Sequence, residues 1–357
     1  MFKLFASVKV IILNLMDIKN PEQKLERMKV AVFGATGMVG QTMLSVLEER
    51  NFPVDELFAV ASEHSVGKEI TFNNKSIKIC SAADVLEKKP DLVLMSAGKE
   101  PALYWAPKFV ENGATVIDNS SAWRNDLDVP LVVPEVNGSR LSGREKLIAN
   151  PNCATIQLVT ALNGVQKNLG IRRIIVTTFQ SVSGSGIKGL KHWHGELTEN
   201  KRGTFYPHQI HGNIIPQCDE FEETGFTKEE MKLINETRKI FDDYHILVAP
   251  TCTRVPVAFG HSESVVVETF RPFDMEGLMS ILRNTKGVIV KDDPSTQTYP
   301  MPLSCEGSDE VFIGRIRRDN TQTHGFHCWI VADNIRKGAA TNAVQIAEFL
   351  IKRRSAI

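Results

Sequence analysis

Residues 28–40 read MKVAVFGATGMVG, and this stretch decides the fold. Val30 to Phe33 form a short apolar run of the kind that makes a buried strand. Three glycines follow, and a helical pattern then runs through Met43 and Leu47 to Glu49. Leu57 to Ala61 is a second apolar run, so the unit reads strand, turn, helix, strand. Gly34, Gly37 and Gly40 after a strand let the backbone approach a pyrophosphate, whose charge then faces the N-terminus of the helix. A glycine string alone is a weak signal. Its position between a strand and a helix, with another strand following, makes it a dinucleotide-binding turn.

The end of the second strand bears on which dinucleotide. A site for NAD places Asp or Glu there to hold the ribose hydroxyls. Residues 58–68 read FAVASEHSVGK, with Ala61 and Ser62 at the tip. Ser62, His64 and Ser65 offer hydrogen-bond donors suited to a 2′-phosphate, so the pattern favours NADP, although Glu63 stands among them.

Further along, DLVLMSAG (residues 91–98) and ATVIDNSS (residues 114–121) repeat the theme of a strand ending in small polar residues, with a helical stretch from Pro101 to Asn112 between them. Alternating strands and helices predict a parallel, doubly wound sheet. The pattern changes after Asn150. A helix over about Ala154 to Asn168 precedes strand-like runs at 172–184, 245–259, 262–270 and 325–333, rich in Val, Thr and Phe. These predict a mixed or antiparallel sheet with one covered face. Residues 184–225 are polar and rich in Gly, His and Asn, which reads as a long excursion over the surface or across a subunit boundary; helical pattern returns at 228–241 and 339–353.

The chain has 357 residues, enough for two substantial domains, with Lys+Arg 42 against Asp+Glu 42. That balance leaves no field to attract nucleic acid or a membrane surface, so an anionic ligand must be held by a few placed residues. Six cysteines (Cys80, Cys153, Cys218, Cys252, Cys305, Cys328) form no CxxC pair and no zinc pattern, so reduced thiols in a cytoplasmic protein and no metal are expected. Residues 1–27 carry a short apolar run, Val8 to Met16, broken by Lys9 and Asn14. It is too short to span a bilayer, and an upstream start or an added extension is the expectation.

The strongest chemical signal is IANPNCATIQL, residues 148–158. Pro151 biases Asn150 away from helix, and Cys153 then falls where the next helix begins. A helix N-terminus favours an anion, which predicts a thiolate and a nucleophile active near neutral pH. An inert buried thiol is the alternative, and the polar flanks Asn150, Asn152 and Thr155 argue against it. In RVPVAFGHSESVVVE (residues 254–268) His261 follows Gly260 at a turn or strand edge, where an imidazole can shuttle protons near pH 7. Arg254 can fork onto a carboxylate. On their own these two read better as a turn histidine and a surface ion.

Taken in order, GATGMVG, SSAWR, NPNCAT, FQSVSGSG, EEMK, RVPV with GHSE, and DEVFIGRIRRD with KGAATNAVQIAE resemble the aspartate-semialdehyde dehydrogenase family from Met28 to Lys352. The resemblance implies a Rossmann-like NADP-binding domain over 28–153, completed by a C-terminal helix at 336–357, and an α+β catalytic and dimerisation domain over 154–335. It implies that Cys153 is an acyl-thioester nucleophile, His261 the general acid/base and Gln180 the residue that orients substrate beside the sulfur. Arg254 would bind the substrate carboxylate, Glu229 its amino group, and Arg124 with Lys232 the phosphate. Cofactor contacts would fall on Thr36, Gly37, Met38 and Val39, on His64 and Ser65, on Ser183 and Gly184, and on Asn334. Glu229 and Lys232 stand three apart on a predicted helix, and a plain i,i+3 salt bridge is the other reading of that pair.

The activity so implied is NADPH-dependent conversion of aspartyl phosphate to aspartate semialdehyde and phosphate, in the biosynthesis of lysine, threonine, methionine and diaminopimelate. Backbone N–H groups at the start of the Cys153 helix would steady the developing oxyanion. A homodimer, or a tetramer built from dimers, is implied as well. A sister reductase of N-acetylglutamyl phosphate would share the fold and the cysteine but would not need Glu229 to meet a free ammonium. Three features depart from the family pattern. His64 stands in place of a longer cation, Ala154 in place of the common Ser, and residues 208–221, HQIHGNIIPQCDEF, leave His211 and Cys218 without an obvious place.

Overall fold

The computed structural model describes residues 27–199 and 203–355, so all but Arg27 of the N-terminal extension lies outside it. The first half runs β1 (Met28–Phe33), α1 (Met38–Glu49), β2 (Val54–Val60), β3 (Glu69–Phe72), β4 (Lys75–Cys80), α2 (Ala82–Glu87), β5 (Leu92–Met95), α3 (Lys99–Glu111), β6 (Thr115–Asp118), α4 (Pro134–Asn137) and β7 (Leu147–Ala149). Its strands lie in the order β3-β4-β2-β1-β5-β6-β7. All neighbours are parallel except the β3–β4 hairpin. The central strands β5 and β6 are buried along their whole length, which explains why β5 reads as an unbroken apolar run. Sheet order diverges on either side of β1, and the glycine turn occupies this switch point, where doubly wound sheets bind ligands.

The second half begins with α5 (Cys153–Leu169). It continues through β8 (Ile171–Gln180), α6 (Gly186–Glu199), α7 (Lys228–Phe241), β9 (Leu247–Arg254), β10 (His261–Thr269), α8 (Met275–Arg283), β11 (Val288–Val290), α9 (Pro302–Cys305), β12 (Val311–Arg318) and β13 (Gly325–Ala332). Its sheet, β11-β12-β13-β10-β8-β9, is mixed: β8–β9 and β11–β12 are parallel and the other pairs antiparallel. Residues 265 and 267 of β10 bury against the same core as Leu158, Ala161 and Leu162 of α5. The chain then returns through a π-turn (Arg336–Ala340) to α10 (Thr341–Arg354). Val344, Ile346, Ala347 and Leu350 of α10 share a core with β1, α1 and β5.

The 184–225 segment differs from the expected excursion. Residues 186–199 are a helix, and its His192 and Glu196 are buried. His192 Nδ1 accepts the Phe205 N–H at 3.1 Å, while Glu196 accepts the Ile210 and His211 N–H groups at 2.9 and 2.8 Å. Polar side chains here close a loop onto a helix, which composition alone does not reveal. His211 is thus placed by its backbone.

Among the described residues, no helix is long and apolar enough to cross a membrane, and no group of three or more His, Cys, Asp or Glu side chains is arranged to hold a metal ion.

Candidate active site

The nucleophile candidate owes its position to three elements. Asn152 caps α5, its Oδ1 accepting the Ala154 and Thr155 N–H groups at 3.0 and 3.3 Å. The Asn152 N–H donates to Glu236 of α7 at 2.6 Å, and its Nδ2 donates to Glu229 at 2.8 Å. Gly338 of the π-turn presses from the other side: a Cβ there would come within 2.9 Å of the Cys153 Cβ. Cys153 is left partly exposed at the head of its helix.

The cavity it opens into has a volume of about 990 Å³. Cys153, Gln180, Arg124, Glu229, Lys232, Arg254, Ser183, Gly184, Asn334 and, from the glycine turn, Gly37, Met38 and Val39 all line it. α7 begins with a capping box between Thr227 and Glu230, which fixes its first turn. Glu229 then accepts hydrogen bonds from Gln180 at 3.0 Å and Lys232 at 3.0 Å, and Lys232 also reaches Asp219 at 2.7 Å. Arg124 is anchored on the Asn150 and Asn119 carbonyls and paired with Glu236 at 3.3 Å. Arg254 ends β9, where its backbone bridges Ile215 and its Nη1 donates to the Ser181 carbonyl at 2.8 Å. Its Nε is buried without a partner among the described residues.

Electrostatics bear on two expectations. Burial first, and then the Glu229 charge, push the Cys153 thiol up to about 12, against the opposing pull of Arg124, Arg254 and the Ala154 N–H. This opposes the expected thiolate: burial and the Glu229 charge outweigh the helix N-terminus. The Ala154 N–H is thus shared between the Asn152 Oδ1 and the thiol. His261, fully buried, is driven down to about 3 by burial and by the Arg254 cation, so it is neutral at pH 7 rather than a shuttle poised there. Burial alone would raise the Glu229 carboxyl, but Lys232 and the donors Asn152 and Gln180 overcome it and hold it near 2.

His261 is the first residue of β10 and stands behind the cavity wall. A Cβ at Gly184 would lie 3.0 Å from its Nε2 and 2.8 Å from the Arg254 Nη1, so the ring tip, the guanidinium and a bare backbone meet at one spot. Gly34 and Thr36 lie within the glycine turn but outside the cavity wall. Gly34 has φ +85°, and a Cβ on it would sit 2.3 Å from the Ser96 carbonyl oxygen. Ser62, His64 and Ser65 lie on a 3₁₀ turn directly after β2 and also stand outside that wall. The end of β2 touches the glycine turn, since the Gly34 and Ala35 N–H groups both donate to the Val60 carbonyl.

Comparison with known proteins bears directly on this arrangement. Residues 29–144 match the semialdehyde dehydrogenase NAD-binding domain and residues 162–337 the semialdehyde dehydrogenase dimerisation domain. An aspartate-semialdehyde dehydrogenase of Aquifex aeolicus is 52% identical over 335 residues, covering 91% of this chain and 98% of that one. The chain belongs to the aspartate-semialdehyde dehydrogenase family. A second relative, aspartate-semialdehyde dehydrogenase 2 of Vibrio cholerae, is 47% identical over 92% of this chain and 98% of its own length. The fold follows that of the crystal structure of aspartate semialdehyde dehydrogenase II from Vibrio cholerae (TM-score 0.89, 47% identity, 92% and 99% of the two chains). It also follows that enzyme complexed with ASA (TM-score 0.88, 46% identity, 92% and 99%). The family is one of oxidoreductases, and its first domain is the nicotinamide-cofactor domain.

Reading the sequence for this family's motifs left several neighbours unnamed. Glu236 steadies the nucleophile through Asn152, read from sequence only as a polar flank, and Asp219 shares Lys232 with Glu229. Glu236 comes seven residues after Glu229, two helical turns along the same face, a spacing that could have revealed it. Cys218, hard to place from sequence, lines the cavity.

Proposed function

We propose that the protein is an NADP-dependent aspartate-semialdehyde dehydrogenase, reducing L-aspartyl 4-phosphate to L-aspartate 4-semialdehyde with release of phosphate through a thioester on Cys153. One observation carries the reading: Cys153, Gln180, Arg254, Glu229, Lys232 and Arg124 converge on a single cavity that the glycine turn also lines. Arg254, with a buried Nε–H unpaired among the described residues, receives the α-carboxylate. Glu229, charged at any ordinary pH, meets the ammonium group. Arg124 and Lys232 hold the phosphate, and Gln180 orients the acyl group beside the sulfur. Covalent capture by Cys153 then splits one difficult step into two.

The glycine turn suits a dinucleotide. α1 has no side-chain cap at Gly37, which leaves N–H groups of its first turn open to an anion, and neither Gly34 nor Gly40 has room for a Cβ. Gly37, Met38 and Val39 would hold the pyrophosphate, and Ser183, Gly184 and Asn334 the nicotinamide end. When bound, the reduced cofactor supplies the hydride that makes the acyl carbon an aldehyde. The exposed turn bearing Ser62, His64 and Ser65 supports NADP as the form used.

On this reading residues 28–153 with the C-terminal helix form the cofactor domain, and 154–335 the catalytic and dimerisation domain. The active form is a homodimer or a pair of dimers, working in the cytoplasm where its thiols stay reduced. The test is phosphate-dependent NADP reduction with aspartate semialdehyde and, beside it, N-acetylglutamate semialdehyde. Turnover with the first, abolished by Cys153→Ala, is expected. Appreciable turnover by the Cys153→Ala protein, or a preference for the N-acetylated aldehyde, would overturn the assignment.

A further inference from the structure

Lys232 has three N–H groups to place, and hydrogen bonds to two carboxylates use two of them. Its Nζ donates to the Glu229 Oε2 at 3.0 Å and to the Asp219 Oδ2 at 2.7 Å. Glu229 is itself fixed, because its Oε1 accepts the Asn152 and Gln180 amides at 2.8 and 3.0 Å. Asp219 is oriented as closely. Its Oδ1 accepts the Glu220 N–H at 2.9 Å and its carbonyl accepts the Gln217 amide at 3.0 Å, so Oδ2 is the oxygen turned to Lys232. Bridges from Ile215 to Arg254 and from Phe221 to Thr227 tie the chain on either side, one to β9 and the other to the residue that caps α7.

This contact is placed for chemistry rather than for stability. Asp219 has φ +69°, in the left-handed region where side chains are disfavoured. The Lys232 and Asp219 side chains are 24% and 35% exposed, and an ion pair so open to water adds little to stability. Strain retained for so small a return is characteristic of functional sites. Both residues line the cavity that holds Cys153 and Arg124. Burial pulls Lys232 towards neutrality, but Glu229 and then Asp219 outweigh it and keep the ammonium charged.

From this geometry we infer that Asp219 is a positioning residue: together with Glu229 it braces the Lys232 ammonium so that the third N–H faces the cavity and meets the phosphate. The inference rests on the function proposed above, in which Lys232 and Arg124 hold that group. A lysine carries its charge on a flexible four-carbon stem, and one tether leaves the ammonium free to swing. Asp219 also brings a negative charge near an anionic ligand. If that charge were its whole effect, removing it would tighten phosphate binding. If it braces Lys232, removing it weakens phosphate binding, so the two roles differ in sign.

Steady-state kinetics of the full-length enzyme in the phosphate-consuming direction, varying phosphate and aspartate semialdehyde in turn, test it. Asp219→Asn removes the charge, and Asn tolerates the left-handed backbone. Its KM for phosphate should rise about tenfold, while kcat at saturating phosphate and the KM for the aldehyde change far less. Should that variant fold poorly, Asp219→Gly, which suits a positive φ, should show the same pattern. A phosphate KM that stays level or falls would overturn the inference. So would a kcat or an aldehyde KM disturbed as strongly as the phosphate KM, since a purely structural residue would act in that way. A double-mutant cycle supplies a second readout. In a Lys232→Met background, adding Asp219→Asn should leave kcat/KM for phosphate where it was, and a further loss equal to that of the single variant would refute action through Lys232. Turnover by the parent enzyme tests the proposed function, whereas the ratio of variant to parent tests this inference, so each can fail without the other.

Discussion

The Glu236 carboxylate accepts the Asn152 backbone N–H at 2.6 Å, so α7 holds the residue immediately before the nucleophile. The same carboxylate pairs with Arg124 at 3.3 Å in a buried setting. One side chain thus sets both the entry into α5 and the pose of a candidate phosphate ligand.

Removing Glu236 strands two groups together. Glu236→Ala leaves a buried guanidinium and a buried N–H without their acceptor, and loss of one member of such a pair costs about 3–5 kcal/mol. Urea unfolding should show a loss of that order with kcat falling alongside it, whereas Glu236→Gln, which keeps an acceptor for Asn152, should lose less. A Glu236→Ala protein as stable as the parent would show that the contact contributes nothing.

The thiol of the free protein should ionise late. Since burial and Glu229 carry it to about 12, alkylation of Cys153 by iodoacetamide should climb roughly tenfold per pH unit between pH 6 and 9, as the thiolate fraction does. Peptide mass spectrometry gives the rate at that cysteine alone. A plateau below pH 8 would mean that the anion is already present.

Glu263 of β10 is fully buried, and burial, only partly offset by Gln157, raises it well above the ordinary carboxylate range. A group raised on folding supports stability fully below its unfolded value and loses that support as pH rises towards the folded one. Glu263→Gln removes the ionisable proton. Its stability relative to the parent should therefore improve as pH rises from 4 to 8, read from urea midpoints. A difference that stays flat with pH would contradict a raised carboxyl.

Gly40 packs α1 against the turn so tightly that a Cβ would fall 2.2 Å from the Gly34 carbonyl oxygen. Gly40→Ala must displace backbone, and overpacking of this kind costs about 1–3 kcal/mol. The Kd for NADPH, followed by nicotinamide fluorescence, should rise as the turn shifts. Unchanged affinity would show that the turn tolerates the methyl group.

Much of the fold could be read from the chain because Val30 to Phe33 of β1 and all of β5 are buried and therefore form unbroken apolar runs. The β3–β4 hairpin was hidden: its strands are short and mostly exposed, and its signature is the Asn73-Asn74 turn, both residues at positive φ. α6 was hidden by Gly186, Gly189 and Gly195, although Ile187, Leu190, Trp193 and Leu197 keep a helical spacing. The site's residues were legible as motifs, but their charge states were not. The Cys153 thiol is set by Glu229, 76 positions along the chain, and by depth, which no local pattern encodes.

The return of α10 to the first core has a cost in time. Lys337, fully buried, reaches Glu135 at 2.7 Å, and Arg50 meets Glu348 at 2.8 Å. During synthesis the amino-terminal sheet emerges first, yet it must wait with one flank bare until the last residues leave the ribosome. Contacts so distant along the chain slow closure and expose sticky surface meanwhile. A truncation of the final twenty or so residues should therefore leave a nascent half that chaperones retain.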